Sequence, residues 1–320
     1  MMQVVQQDIL DLRHFSGAAL RLLLEEEAGM WKQRLRWDYR ASANLLLEYL
    51  DSHILPGFVA REEQQVTGYV FCVYEHSKAV IGDVFGTCNA RESASRIEER
   101  LIDHAVELLQ HSPGVERIET QLLLHTHGEH SGAFEERGFR VHPRLYMERG
   151  LRGRRAAEDT EIPPALELRP WRDSDYAAAG RLISLAYQDH LDSTINDQYR
   201  TVAGSLRFLH NIVRFPGCGQ FDPAASLVLA YRDRGELGGL LLCSRVSSEA
   251  GHVTQICVAQ AWRRHGLARL MLQRCMGGLQ RRGLAYVSLT VTEANHSALR
   301  LYEEMGFETR HTFDAMVWQR

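Results

Sequence analysis

The apolar positions of this chain fall into short alternating runs set between stretches with a period near 3.6 residues, and this order of runs occurs twice. In the first half, Gly57-Phe-Val-Ala-Arg leads through a polar turn to Gly68-Tyr-Val-Phe-Cys-Val. In the second, Leu227-Val-Leu-Ala-Tyr leads to Gly239-Leu-Leu-Leu-Cys. Each pair predicts a β-hairpin. A third strand follows each hairpin, over 80–85 and 252–258, and then a helix. The second-half helix is expected to begin near Arg264 and to carry Leu267, Leu270, Met271, Cys275 and Leu279 on one face. Ile97, Leu101, Ala105, Leu108 and Leu109 do the same in the first half. Gly277-Gly278 and Gly283 are expected to end one helix, and Pro113-Gly114 the other. Another strand follows over 115–124 or 284–291, then a short helix closing at Gly138 or Gly306, then a final pair of extended segments.

The repeat has a sequence mark. Phe134-Glu-Glu-Arg-Gly138-Phe139 returns as Tyr302-Glu-Glu-Met-Gly306-Phe307, at a separation of 306 − 138 = 168 residues. Between the halves, the charged stretch from Arg152 ends in Pro163-Pro164 and reads as a linker. The expected division is 1–150, a linker over 151–165, and 166–320. The second half opens with a strand over 166–169, a helix over 174–189 and a second helical stretch over 195–213. Helices over 15–30 and 41–50 match them in the first half.

Composition narrows the class. The 45% hydrophobic and 24% charged fractions are those of a soluble globular protein. No cationic leader and no apolar run of spanning length stand out, so a cytoplasmic location away from membranes is expected. A net charge of −4 gives no footprint for nucleic acid. The six cysteines show no C-x-x-C pair and read as buried free thiols, so neither a disulfide nor a metal site is expected.

The most informative stretch is Thr254-Gln-Ile256-Cys257-Val258, which runs into Arg263-Arg264-His265-Gly266-Leu267-Ala268. An apolar strand there meets a basic turn that opens a helix. Unpaired N–H groups and the positive end of the helix dipole favour an anion, and Gly266 lets it approach the backbone. Downstream stands Asn295-His-Ser-Ala298-Leu-Arg-Leu301-Tyr302-Glu-Glu-Met-Gly306-Phe307.

Together with the order of elements, these motifs resemble the GNAT superfamily of acyl-CoA-dependent N-acyltransferases. Arg263, Gly266 and Ala268 match the family's pyrophosphate pattern in register. Asn295, Ala298, Leu301, Tyr302, Gly306 and Phe307 match its second pattern. The resemblance implies an α/β (α+β) fold of two tandem GNAT-like domains, each a mixed, mostly antiparallel central sheet flanked by helices. It implies acetyl-CoA as cosubstrate, and a primary amine, a small molecule or a protein N-terminus, as acceptor.

By the same resemblance, Arg263, Arg264, His265, Gly266, Leu267, Ala268 and Arg269 wrap the pyrophosphate. Ile256, Cys257 and Val258 lie on a strand that splays from its neighbour and binds the pantetheine arm, with Val258 or a neighbour polarising the thioester carbonyl. Asn295 contacts that arm, and Tyr302 protonates the departing thiolate. On the residues alone, Asn295 reads equally as a helix N-cap and Tyr302 as a core tyrosine. A non-catalytic acyl-CoA binding or sensing protein is the alternative from another class. No base is singled out: His252, Gln255, His265 and Glu249 each also read as ordinary polar residues. The cluster of Asp189, His190, Asp192 and Asp197 with Tyr187 and Tyr199 is either an attractor for a cationic amine or a solvated helix end.

The first half reads Thr87-Cys88-Asn-Ala-Arg91-Glu92 where the second has its basic turn, with no glycine and with an acid near the expected phosphate. Counting back 168 residues puts Phe134 at the tyrosine position and His127 at the asparagine position. This half is expected to be a degenerate, non-catalytic copy. Its Trp31, Trp37, Tyr39 and Tyr49 line a pocket or, as is commoner, pack a core.

Overall fold

The computed structural model describes residues 8–87, 89–90, 93–152 and 161–320. Cys88, Arg91, Glu92 and most of the expected linker lie outside the described residues. Contacts group the chain into two compact units that do not follow the order of the two halves. One is Met1–Leu35, Tyr39–Arg144 and Thr312–Arg320; the other is Arg36–Asp38 and Leu145–His311.

The first unit begins with β1 (Asp8–Asp11), α1 (Gly17–Leu35) and α2 (Arg40–Asp51). It continues through β2 (Gly57–Glu62), β3 (Gln65–Glu75), β4 (Lys78–Gly86), α3 (Ala94–His111), β5 (Arg117–Gln121) and α4 (Ser131–Glu135) to the start of β6 (Arg140–Gly150). Its strands run β1-β2-β3-β4-β5, antiparallel except where β4 and β5 lie parallel. The apolar face of α3, with Ile97, Leu101, Ile102, Ala105, Val106 and Leu109 all buried, packs on this sheet.

The second unit holds β7 (Leu166–Pro170), α5 (Tyr176–Ala186), α6 (Asp192–Ile195), α7 (Val202–Arg214) and β8 (Gln220–Phe221). Then come β9 (Leu227–Tyr231), β10 (Leu237–Arg245), β11 (Ala250–Val258), α8 (Leu267–Arg281), β12 (Tyr286–Thr292) and α9 (His296–Glu304). The order β12-β11-β10-β9-β7 is again antiparallel apart from the parallel pair β11 and β12. The chain closes with β13 (Glu308–Gln319). Its last residues belong to the first unit, where Ala315 to Gln319 pair antiparallel with Gln121 to Arg117.

Several elements differ from expectation for local reasons. The stretch 195–213 is broken into α6, a 3-10 turn and α7. The side chains of Asn196 and Thr201 accept the N–H groups of Gln198 and Gly204, and each such cap restarts the helix. Helix α8 starts at Leu267 rather than near Arg264, because Gly266 is left-handed at φ 75°. It also runs through Gly277-Gly278 to Arg281 and ends before Gly283, at φ 84°. Glycine inside a helix costs roughly 1 kcal/mol, and burial of Met276 and Leu279 on either side of the pair holds the turn. Trp31 and Tyr39 stack at 4.7 Å inside the first unit, Tyr49 is exposed, and Trp37 belongs to the second unit. Cys72, Cys218, Cys243, Cys257 and Cys275 are free thiols. Among the described residues no helix is long and apolar enough to cross a membrane.

Because the chain's last strand completes the first unit, removing Thr312–Arg320 should expose β5 as an open edge. Hydrogen exchange should then show Arg117–Gln121 losing protection by at least about tenfold. Unchanged protection there would mean that the pairing contributes nothing.

Candidate active site

Two parallel strands that run together and then part build the site. β11 and β12 pair from Ala250 with Tyr286 as far as Val253 with Leu289. Beyond that register β11 continues to Val258 and β12 to Thr292 without pairing. On its other side β11 stays bonded to β10, and the N–H of Ala259 donates to Gly238 at 2.9 Å. Donors alternate along a strand, so Cys257 turns its N–H toward β10 while Ile256 and Val258 turn theirs into the gap. The N–H groups of Ile256 and Val258 have no acceptor among the described residues. Cys257, buried with α5, offers only its packing.

The gap leads into the turn before α8. Arg264 has φ 66° and Gly266 φ 75°, which bends the chain so that the N–H groups of residues 264–269 face outward with no acceptor among the described residues. Leu267 sends its side chain into the core and leaves only its backbone to the turn. Arg263 is bound elsewhere: its guanidinium donates to the carbonyl oxygens of Ala186, at 2.8 Å, and Val258, at 3.4 Å, and so pins the turn. His265 folds back on the Arg263 carbonyl at 2.9 Å. Arg269 pairs with Glu304. Arg264 is exposed, and no ion pair engages it among the described residues.

Tyr302, on α9, lies near Asp192 and Tyr187. Its ring is buried against Phe307, and its hydroxyl has no partner among the described residues. Burial pushes this phenol well above its ordinary value, and the Asp192 carboxylate pushes it the same way. Asn295 caps α9 by accepting the N–H of Ala298 at 3.3 Å, so its side-chain oxygen is engaged by the helix.

The acidic cluster resolves into unlike members. Asp189 is exposed, whereas Asp192 is half-buried and accepts the Thr292 hydroxyl at 2.5 Å, with His190 at 3.6 Å. No arginine or lysine pairs with Asp192 among the described residues. Tyr187 stacks on Tyr199 at 4.3 Å and donates to the Gln255 side-chain oxygen at 3.2 Å. Gln255 is 5% exposed, and its side-chain nitrogen has no partner among the described residues. Nothing in the sequence marked Thr292, and its place at the end of β12 puts it in contact with Asp192. Of the other polar residues near β11, His252 sits in the paired part. It bonds Ser288 at 2.9 Å between the rings of Trp37 and Tyr146, away from the gap. Glu249 is exposed in its turn.

Comparison with known proteins matches residues 189–307 to the acetyltransferase (GNAT) family. The second half carries a GNAT domain. The chain is 41% identical over 96 residues to the mycothiol acetyltransferase of Thermomonospora curvata, a match spanning 31% of that protein. It is 26% identical over 277 residues to that of Acidimicrobium ferrooxidans, covering 84% of both chains. A tandem GNAT protein from the clavulanic acid biosynthesis pathway has the same fold over 98% of each chain, at a TM-score of 0.63 and 13% identity.

The first unit has the same parting with its donors consumed. β4 and β5 pair from Lys78 with Arg117 to Ile81 with Thr120, and β4 then continues alone. The donors turned into this gap are Val84 and Gly86, the counterparts of Ile256 and Val258. Val84 donates to the Asp83 carboxyl at 2.9 Å, and Gly86 to the Glu98 carboxylate at 2.8 Å. Where the GNAT domain has Leu270 and Met271 on α8, the first unit thus reaches in from α3 with an acid. Phe134, at the tyrosine position, is fully buried and has no hydroxyl. His127, at the asparagine position, bonds Asp314 at 2.6 Å.

Gly266→Asp should abolish binding of coenzyme A by the GNAT domain, weakening it by at least about 100-fold. The cause is a carboxylate, at a left-handed position, set among the anion-facing N–H groups. Equilibrium titration checks this, and unchanged affinity would remove the turn from the site.

Proposed function

We propose that the second unit transfers an acetyl group from acetyl-CoA to a primary amine by direct attack, with no covalent enzyme intermediate. The observation that carries this reading is the row of free donors. It starts at Ile256 and Val258 in the gap and resumes at residues 264–269 in the turn, and the Tyr302 hydroxyl, unpartnered among the described residues, lies near Asp192. A pantetheine arm adds to β11 as a short extra strand, and its pyrophosphate lies on the turn. The Val258 N–H, nearer the turn, bonds the arm, and the thioester carbonyl at the far end of the arm meets the Ile256 N–H, which stabilises the oxyanion as the amine attacks. The relatives named mycothiol acetyltransferases support acetyl transfer as the reaction.

Asp192 supplies what the sequence left open. The amine arrives as an ammonium ion, and a half-buried carboxylate near Tyr302, with His190 at 3.6 Å and no arginine or lysine paired to it among the described residues, attracts it and takes up its proton. Asp189, exposed in water, lacks that position. Attack forms the carbon–nitrogen bond, the carbon–sulfur bond breaks and Tyr302 gives its proton to the departing sulfur; the second proton leaving the nitrogen restores the phenol, and the one taken by Asp192 passes to water. The raised pKa of Tyr302 keeps the phenol protonated at neutral pH, so the donor is present in every turnover.

Two substitutions test these roles in an assay of thiol release, across an amine panel that includes the acceptor of the mycothiol acetyltransferases. Tyr302→Phe should lower kcat by about 100-fold with little change in coenzyme A affinity. Full activity would discard the acid, whereas a wild-type chain that binds acetyl-CoA but releases no thiol with any amine would favour an acyl-CoA binder that does not catalyse. Asp192→Asn should raise KM for the amine about tenfold, while Asp189→Asn should leave it unchanged. Equal effects of the two would return the acids to a general surface charge.

A further inference from the structure

The first unit contains buried ionisable groups that acetyl transfer in the second does not use. Glu27 and Asp83 are fully buried against each other, with Tyr69 donating to Glu27 at 2.6 Å and Trp31 at 3.1 Å. Burial pushes both carboxyls above the usual range. Close by, Glu98 is buried and accepts from Gly86. Two imidazoles, from His125 and His130, converge on this buried carboxylate, an arrangement in which a divalent cation can take the place of the contacts between them.

The geometry fits such a cation. His125 and His130 come from the loop between β5 and α4, Glu98 from α3, and all three are buried. Both imidazoles aim Nε2 at the one carboxylate, at 3.3 Å from Oε1 for His125 and 3.0 Å from Oε2 for His130. The three ligand atoms lie within 4.8 Å of one another. Atoms bound to a tetrahedral zinc ion at about 2.0–2.1 Å stand about 3.3 Å apart, so a bound ion would draw this set, whose two histidine contacts go to different oxygens of the carboxylate, slightly together. Nδ1 of His130 is buried without a partner among the described residues, so Nε2 is the edge of that ring with work to do. Two imidazoles and a carboxylate are a donor set for zinc and its neighbours rather than for magnesium or calcium.

We propose that Glu98, His125 and His130 bind one divalent transition-metal ion of the zinc class, which ties α3 to the loop after β5 and holds the first unit's gap shut. The tie is structural, so its loss lowers the stability of that unit and leaves acetyl transfer in the second to its own residues. The test uses the full-length chain without an affinity tag, stripped with a chelator and dialysed against zinc. Elemental analysis should find about one zinc per chain, with a melting temperature raised by several degrees. Both effects should vanish in Glu98→Gln and in His130→Gln. Because those variants can misfold, cobalt in the wild-type chain gives a second reading: visible bands of a four-coordinate nitrogen and oxygen site. Fewer than about one zinc in ten wild-type chains, zinc retained in both variants, or bound cobalt without such bands would each overturn the proposal.

Discussion

A backbone N–H taken out of water must find an acceptor, and a parallel pair of strands that parts midway leaves a row of them without one. Everything informative in this molecule follows from how that need is met. In the second unit the donors of Ile256 and Val258 stay open, and the turn before α8 extends the row with the N–H groups of residues 264–269. Such a row binds a ligand that is extended, amide-bearing and anionic at one end. Arginine 263 serves it indirectly, by bonding the carbonyl groups of Ala186 and Val258 and so holding the turn in shape.

The first unit solves the same problem from within. Asp83 and Glu98 accept the two donors that face its gap; His125 and His130 surround Glu98, and Asp83 is buried with Glu27, which Tyr69 and Trp31 bond. The buried polar network therefore occupies the donors that stay open in the second unit. The donors that a cofactor would cover are covered by side chains, and a hydroxyl-free Phe134 takes the place of the tyrosine.

Much of this was legible in the sequence where it depended on local rules. The hairpins, the glycine-bearing turn, the Asn295 cap and the 168-residue repeat all stand where periodicity and motif put them. Other features depend on distant partners. Gly277-Gly278 reads as a helix end, yet Met276 and Leu279 bury the turn that carries it. The last strand completes the first unit because of its pairing with β5, which no run of residues announces. Asp189 and Asp192 look alike in sequence, and only the position of Thr292 separates them. His125 and His130 share one loop at a spacing that metal ligands use, but Glu98 lies on α3, so the convergence of all three is visible only in the fold.

The most direct measurement is the stoichiometry of coenzyme A binding to the full-length chain by calorimetric titration. One gap is open and the other is filled by its own acids, so a single site per chain is the expected result. Two equivalent sites per chain would contradict the account, because the donors of Val84 and Gly86 would then be as available as those of Ile256 and Val258.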